Sequence, residues 1–312
     1  MLSRVGNRLY WMGRYVERAE SSARLIRVYS ELFLDLPHGT GIGWRAVLNI
    51  NGGEQAFADA GGKADDARSI VHFLLADEVN AASLLSTLAL ARENARTTRD
   101  VIPAEAWRVL NELHLMARDK LPQAVQERKR RRILEDVIQR CQLLAGLIDG
   151  TMTHGDGYQL ARMGWHLERA DMTTRIIDVA AALLMSGRDE LKRFDNTLWM
   201  AVLRSLSAYQ MYRQQVRRRV TGPDAIRFLL TDQLFPRSVA YCIDQVENAI
   251  ASLPRSATPA RSCSAIRALQ LPAADGSLDP AALHDHIDKL QLAFADLNND
   301  FYTTWFAPAD AA

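Results

Sequence analysis

Twenty residues of this chain are written twice in nearly the same form. Leu9 to Val28 reads LYWMGRYVERAESSARLIRV, and Leu160 to Val179 reads LARMGWHLERADMTTRIIDV, with nine of the twenty positions identical. Average residue usage would give roughly one or two identities. Apolar residues recur in both segments at three and four, the period of a helix face. Met12/Met163, Gly13/Gly164, Glu17/Glu168, Arg18/Arg169, Ala19/Ala170 and Arg24/Arg175 pair at a constant separation of 151 residues. Packing a helix requires only apolar side chains at the right period. Keeping the same charges and the same glycine in both copies demands a further reason.

The likeness continues beyond these helices at a separation of 155 residues. Trp44-Arg-Ala-Val-Leu48 matches Trp199-Met-Ala-Val-Leu203, and Gln55 and Phe57 match Gln210 and Tyr212. Phe73-Leu-Leu-Ala-Asp77 matches Phe228-Leu-Leu-Thr-Asp232, and Ser83 matches Ser238. A four-residue insertion between Ser186 and Asn196 accounts for the change of separation. Residues 96–150 and 251–312 align only faintly. The expectation is one helical domain over residues 1–312, built from two pseudo-symmetric duplicated units, 1–150 and 151–312. By analogy with two-fold dimers, in which equivalent elements meet at the axis, the two Glu-Arg helices are expected to meet.

The fold class follows from the period: all-α. Alternating runs bounded by turn residues are nearly absent, and prolines stand at helix starts or just past helix ends. Asp279-Pro280 reads as a cap followed by proline at the first helical position, and Pro103, Pro223 and Pro236 also suit helix starts. The periodicity predicts helices near 4–35, 43–60, 65–77, 80–102, 104–121, 125–150, 156–186, 195–220, 223–233, 235–253, 261–270 and 280–305.

Charge and cysteine content narrow the function classes. Lys plus Arg number 38 against 37 Asp plus Glu, a net charge of +1, which removes any general electrostatic case for nucleic acid or a membrane surface. Three widely spaced cysteines, Cys141, Cys242 and Cys263, form neither a disulfide framework nor a zinc spacing, and a reducing cytoplasm is the expected location. The opening MLSRVGNRLYW has no apolar core of signal-peptide length, and no run approaches the ~18 apolar residues of a membrane span.

On a wheel advancing ~100° per residue, Gly13, Glu20 and Arg24 fall within about 60° of Glu17. Arg14, Arg18 and Ser21 lie to one side, while Met12, Tyr15, Ala19, Ser22, Ala23 and Ile26 occupy the opposite face. Glu20/Arg24 and Asp171/Arg175 are i,i+4 pairs in the favourable order. A glycine inside a helix costs roughly 1 kcal/mol relative to alanine, yet Gly13 and Gly164 both stand on the charged stripe, where they would let another backbone or a ligand approach closely. The stripe is therefore expected to be buried or partner-facing. Its residues Glu17, Arg18, Arg24, Glu168, Arg169 and Arg175 are the candidate ligand- or partner-binding set.

Other chemistry finds little support. No Glu-x-x-His of a di-iron bundle occurs. His284-x-His286 with Asp288 is the nearest metal-like cluster, but histidines at i,i+2 point about 200° apart on a helix, so no metal site is expected. Asp156, after His154-Gly155, reads as a helix cap. Cys141 and Cys242 lie in apolar helical runs and read as core thiols. Gly61-Gly-Lys63 lacks the spacing of a phosphate loop, and no nucleophile motif or cofactor signature is present. The basic runs Arg128-Lys-Arg-Arg-Arg132 and Arg217-Arg-Arg219 lack interleaved aromatics and read as solvated or partner-facing turns.

Ser3-Arg4-Val5, Leu9-Tyr-Trp-Met-Gly-Arg-Tyr15, Glu17-Arg-Ala-Glu20 and Ala23-Arg24 closely resemble the bacterial alpha-E domain family, named for its Glu-Arg motif. So do Ala91-Arg-Glu-Asn-Ala95, Trp107 and Glu168-Arg-Ala-Asp171. The resemblance covers essentially the whole chain. The departures are His166, where an aliphatic or basic residue is expected, and the glycine-rich stretches at Gly52-Gly53 and Gly61-Gly62. The resemblance implies the company of circularly permuted ATP-grasp ligases and transglutaminase-like proteins, often beside a proteasome-like peptidase, and hence synthesis or modification of small peptides. The motif residues carry over to Glu17, Arg18, Glu168 and Arg169.

The leading expectation is a non-catalytic or accessory protein in which Arg18 and Arg169, with Arg24 and Arg175, hold the carboxylate of an amino acid or peptide, while Glu17 and Glu168 hold an amine or orient those arginines. One alternative is an enzyme of amide-bond chemistry with Glu17 or Glu168 as general base. Another is a scaffold in which the stripe is only a structural ion-pair network.

Overall fold

The computed structural model describes residues 3–37, 42–63, 65–185, 193–269 and 280–307. Among them there are helices and no strands: α1 (Ser3–Asp35), α2 (Trp44–Ile50), α3 (Glu54–Asp59), α4 (Ala67–Leu75), α5 (Leu84–Arg96), α6 (Ala104–Lys120), α7 (Glu127–Thr151) and α8 (Asp156–Met185). Then follow α9 (Asp195–Ser205), α10 (Tyr209–Val216), α11 (Gly222–Thr231), α12 (Val239–Ala251), α13 (Ala257–Ala268) and α14 (Pro280–Phe301). A short 3₁₀ turn, Leu121–Val125, joins α6 to α7, and a π turn, Tyr302–Phe306, extends α14. The all-α class stands. The expected cap at Asp279 and most of the insertion near Ser186 lie outside the described residues.

Two helices expected as single spans are each broken once. The first breaks at Asn51–Gly53, where Gly52 takes φ +66°. A left-handed residue there ends the helix at little cost because it has no Cβ. The second breaks between α9 and α10, where Ser207 takes φ +52° and the Ala208 N–H reaches the Leu203 carbonyl at 2.7 Å. The helices that follow begin at their caps. Asp66 accepts from the N–H groups of Arg68 and Ser69, Ser83 from Ser86, Thr221 from Asp224 and Ser238 from Tyr241, each satisfying donors that a helix start leaves unpaired. Helices α3, α4 and α5 start at 54, 67 and 84, and α10, α11 and α12 start at 209, 222 and 239, the 155-residue separation seen in the sequence.

The chain sorts into two compact units. One comprises residues 1–14, 153–203 and 207–312; the other comprises residues 15–152 and 204–206. In the first unit α12 and α14 pack along α8, and α13 lies against both α12 and α14. Its core is formed by Met163, Leu167, Ile176, Ile243, Val246, Ile287 and Leu297, all buried. In the second unit α5, α6 and α7 pack in sequence, with the 3₁₀ turn against α4. Leu88, Ala91, Leu110, Leu113, Val137, Cys141 and Leu144 fill that core.

Within the first unit, α1 and α8 cross at their glycines. A Cβ on Gly13 would stand 2.3 Å from the Ala161 carbonyl oxygen and 3.2 Å from the Trp165 nitrogen. A Cβ on Gly164 would stand 2.1 Å from the Tyr10 carbonyl oxygen and 3.2 Å from the Arg14 nitrogen. Ala161 and Trp165 are the counterparts of Tyr10 and Arg14 in the repeated segment. The contact therefore maps onto itself when the two helices are exchanged, as an isologous interface does. The Glu-Arg helices meet, backbone against backbone.

This crossing inverts the ordinary effect of alanine. Gly146→Ala, at an exposed site in α7 with nothing within 4 Å, is expected to stabilise by about 0.5–1 kcal/mol. Gly13→Ala and Gly164→Ala are each expected to destabilise by about 2 kcal/mol or more through overpacking against backbone that cannot rotate away. Urea denaturation of the three variants checks the sign at each site.

Candidate functional site: the two Glu-Arg helices

From Leu9 to Tyr29 on α1 and from Gly157 to Ala181 on α8, no residue is exposed. The wheel that separated a charged from an apolar stripe is correct in geometry, but both faces are covered. Glu17 is 0% and Glu168 1% exposed, and Arg14, Glu20, Arg24 and Asp171 are also buried. Arg18, Arg169 and Arg175 are half-buried. A carboxylate removed from water to this degree requires a partner or must neutralise.

In the first unit, Glu168 has that partner. The Arg14 Nε donates to its Oε2 at 2.5 Å. The same guanidinium donates through Nη1 to the Tyr10 hydroxyl at 3.1 Å and to Asn298 Oδ1 at 3.2 Å. Tyr10 in turn donates to Asn298 Oδ1 at 2.7 Å, which ties α1 to α14. Tyr10 also packs its ring against Phe301 and Phe306. Burial works to lower the proton affinity of Arg14, and the Glu168 carboxylate and Tyr10 reverse this and hold it above the usual arginine value.

The rest of the second motif is engaged around the same helix. Arg169 Nη1 donates to the Pro236 carbonyl at 3.3 Å, and Thr173 donates to the Arg237 carbonyl at 2.9 Å. These bonds dock the turn before α12 onto α8. That turn is shaped by Asp232, which accepts from the N–H groups of Leu234 and Phe235. Arg175 donates to Asp171 at 3.0 Å, the i,i+4 pair expected from the sequence. Arg169, expected to clamp a ligand carboxylate, is thus placed on a backbone carbonyl.

In the second unit, Ser21 donates to Glu17 at 3.1 Å, and Arg24 pairs with Glu20. Gln142 of α7 donates to Glu20 at 3.4 Å. Burial, and then the nearby Glu20 and Glu17 carboxylates, push the Cys141 thiol well above its usual range, so it stays protonated and inert as a core thiol. Arg18 stacks over the Tyr15 ring one turn earlier, 5.8 Å from its centroid.

Sequence reasoning weighed the charges that repeat, and the residue it passed over is one that does not. Arg14 has Trp165 as its counterpart, so nothing in the repeat marks it. The signal that finds it is its place one residue after Gly13, where the close crossing brings α8 within reach. Asn298 carried no sequence signal of its own.

The histidine cluster divides as the i,i+2 spacing requires. His286 is buried, while His284 is exposed and stands 2.7 Å from Asp178 through Nδ1 and 3.6 Å from Asp288 through Nε2. Among the described residues no group of three His, Cys, Asp or Glu could hold a metal ion, and no helix is long and apolar enough to cross a membrane. The hydrogen bond that His284 donates to Asp178, together with the carboxylate's charge, raises the His284 pKa. A raised folded-state pKa contributes stability below the unfolded value of about 6.5 and loses it as pH rises through the folded value. The exposed position keeps that contribution small. NMR titration of His284 is expected to give a pKa above 6.5 that falls in Asp178→Asn, and an unchanged titration in that variant would refute the pairing.

Comparison with known proteins agrees with the motif geometry. The chain is 24% identical over 282 residues to uncharacterized proteins of Mycobacterium bovis and of two strains of Mycobacterium tuberculosis, an alignment covering 83% of this chain. It spans only 30% of the length of those relatives. No solved structure matches it significantly. Residues 1–306 match the model of the Alpha-E family, described as a predicted alpha-helical domain with a conserved ER motif. The chain belongs to the Alpha-E family.

Proposed function

We propose that this chain is a duplicated, non-catalytic helical module that works beside a circularly permuted ATP-grasp peptide ligase, in the synthesis or modification of small peptides. In this reading the buried carboxylates of the Glu-Arg motifs are structural. The half-buried arginines, Arg18, Arg169 and Arg175, are the motif members that a partner or a peptide carboxylate can reach. The observation that carries the reading is the burial of Glu17 and Glu168, with Glu168 held by Arg14 at 2.5 Å. A general base must reach its substrate and have a pKa near the working pH. Glu168 is covered, and its Oε2 is engaged by the Arg14 Nε.

Two further observations support a module that acts with other chain segments. The matched region makes up less than a third of the mycobacterial relatives, so in those proteins it stands beside a large additional portion. The matching helix starts and the self-mapping glycine contact support duplication of one helical unit.

The roles of the two residue classes separate in one experiment. Co-purification with the ATP-grasp ligase, and ligase output, are measured for Arg18→Ala with Arg169→Ala and for Glu168→Gln. The arginine variant is expected to melt within a few degrees of the wild type yet lose ligase association. Glu168→Gln is expected to lower the melting temperature by several degrees, since it leaves the buried Arg14 charge without its counter-charge. Turnover of a peptide amide by the purified chain alone, abolished in Glu168→Gln or Glu17→Gln with melting unchanged, would establish the enzymatic reading instead.

A further inference from the structure

The Arg217-Arg218-Arg219 run takes no part in the ion pairs of the Glu-Arg helices. Together with Asn196, Tyr209 and Arg213 it lines a cleft of about 520 Å3 in the first unit, within the range of roughly 300–1,000 Å3 typical of small-molecule sites. The cleft is formed where α10 ends. Arg217 adopts φ +52° there and turns the chain back, and Asn196 on α9 donates to the Val220 carbonyl at 2.8 Å and so pins the far end of the arginine run. Arg213 is stacked beside the Tyr209 ring, 6.0 Å from its centroid.

Among the described residues, the charges in this cleft have no carboxylate paired to them. Several exposed arginines elsewhere have carboxylate partners: Arg45 pairs with Glu54, Arg96 with Glu93, and Arg267 with Glu247 and Asp244. None of Arg213, Arg217, Arg218 and Arg219 has an ion-pair partner among the described residues. Asp195 lies within electrostatic reach of Arg219: burial pushes its carboxyl up, while the hydrogen bond from Trp199 and then the Arg219 charge oppose the shift. The chain as a whole carries a net charge of only +1, so this concentration is local. The negative end of α10 stabilises cations nearby, which accounts for one or two of the arginines and not for four around one concavity.

We propose that this cleft binds an oligophosphate chain, either free or as the tail of a nucleotide. Guanidinium forks match phosphate oxygens in bidentate fashion. An oligophosphate places three or more negative charges within a few ångströms, as a compact cleft ringed by four arginines requires. An acidic peptide spreads the same charge over a longer span, and a nucleic-acid strand needs an extended groove.

The test is titration calorimetry of the full chain with tripolyphosphate at low ionic strength. One site is expected, weakening as salt is added. Binding is expected to weaken about tenfold or more in Arg217→Ala with Arg219→Ala and to be unchanged in Arg128→Ala with Arg131→Ala, which removes charge from the other basic run. Both pairs of side chains are exposed, and circular dichroism confirms that the variants fold. Equal affinity for ATP and tripolyphosphate assigns recognition to the phosphate chain, and tighter binding of ATP assigns the natural ligand to the nucleotides. No binding by the wild type, undiminished binding in the Arg217/Arg219 variant, or stronger binding of a single-stranded oligonucleotide than of tripolyphosphate would overturn the proposal.

Discussion

Two helices can bring backbone against backbone only where neither carries a side chain at the crossing. Gly13 and Gly164 provide that point, and with each Cβ position within 2.3 Å of the opposing carbonyl oxygen no other residue fits without movement. The surrounding geometry follows from this approach. It brings Arg14, one residue beyond Gly13, to Glu168, one turn beyond Gly164. It also sets the N-terminal part of α1 so that Tyr10 reaches Asn298 on α14. Two helices separated by some 150 residues of chain are held in one register by the smallest side chain and one of the largest.

A charged motif sealed in a helical core needs a physical justification. Two charges removed from water gain little net stability from each other, and apolar residues of similar volume often do as well. What the charges add is selectivity: a slipped register that breaks the pair leaves an uncompensated charge in the interior. The Arg14–Glu168 couple fixes α8 against α1, and the Arg169 bond to the Pro236 carbonyl and the Thr173 bond to the Arg237 carbonyl fix it against the turn before α12. The repeated Glu-Arg sequence thus acts on packing geometry.

The all-helical class was legible because the apolar period is unbroken over long stretches and because prolines stand at helix starts or just past helix ends. The two breaks had unequal signals. Gly52 is a visible interruption that was passed over in favour of the longer period. Ser207 adopts a left-handed conformation with no glycine or proline nearby, so tertiary packing alone explains it. Of the candidate site, the Glu20/Arg24 and Asp171/Arg175 pairs and the close-approach role of the glycines were readable, since all depend on spacing within a helix. The partner of Glu168 was not. Arg14 comes from the other helix, and its counterpart in the repeat is Trp165, so a search for kept charges discards it. Burial on every side was equally hidden, because a wheel shows which residues share a face but not what covers it.

The central claim is that the Glu-Arg helices are coupled by a buried charge pair that sets their register. A double-mutant cycle of Arg14→Met and Glu168→Leu, followed by urea denaturation, measures that coupling directly. Each single substitution removes one member of a buried ion pair and is expected to cost about 3–5 kcal/mol, while the double variant recovers much of the loss, a coupling of about 2 kcal/mol or more. Single and double effects that add to within about 0.5 kcal/mol would contradict the claim.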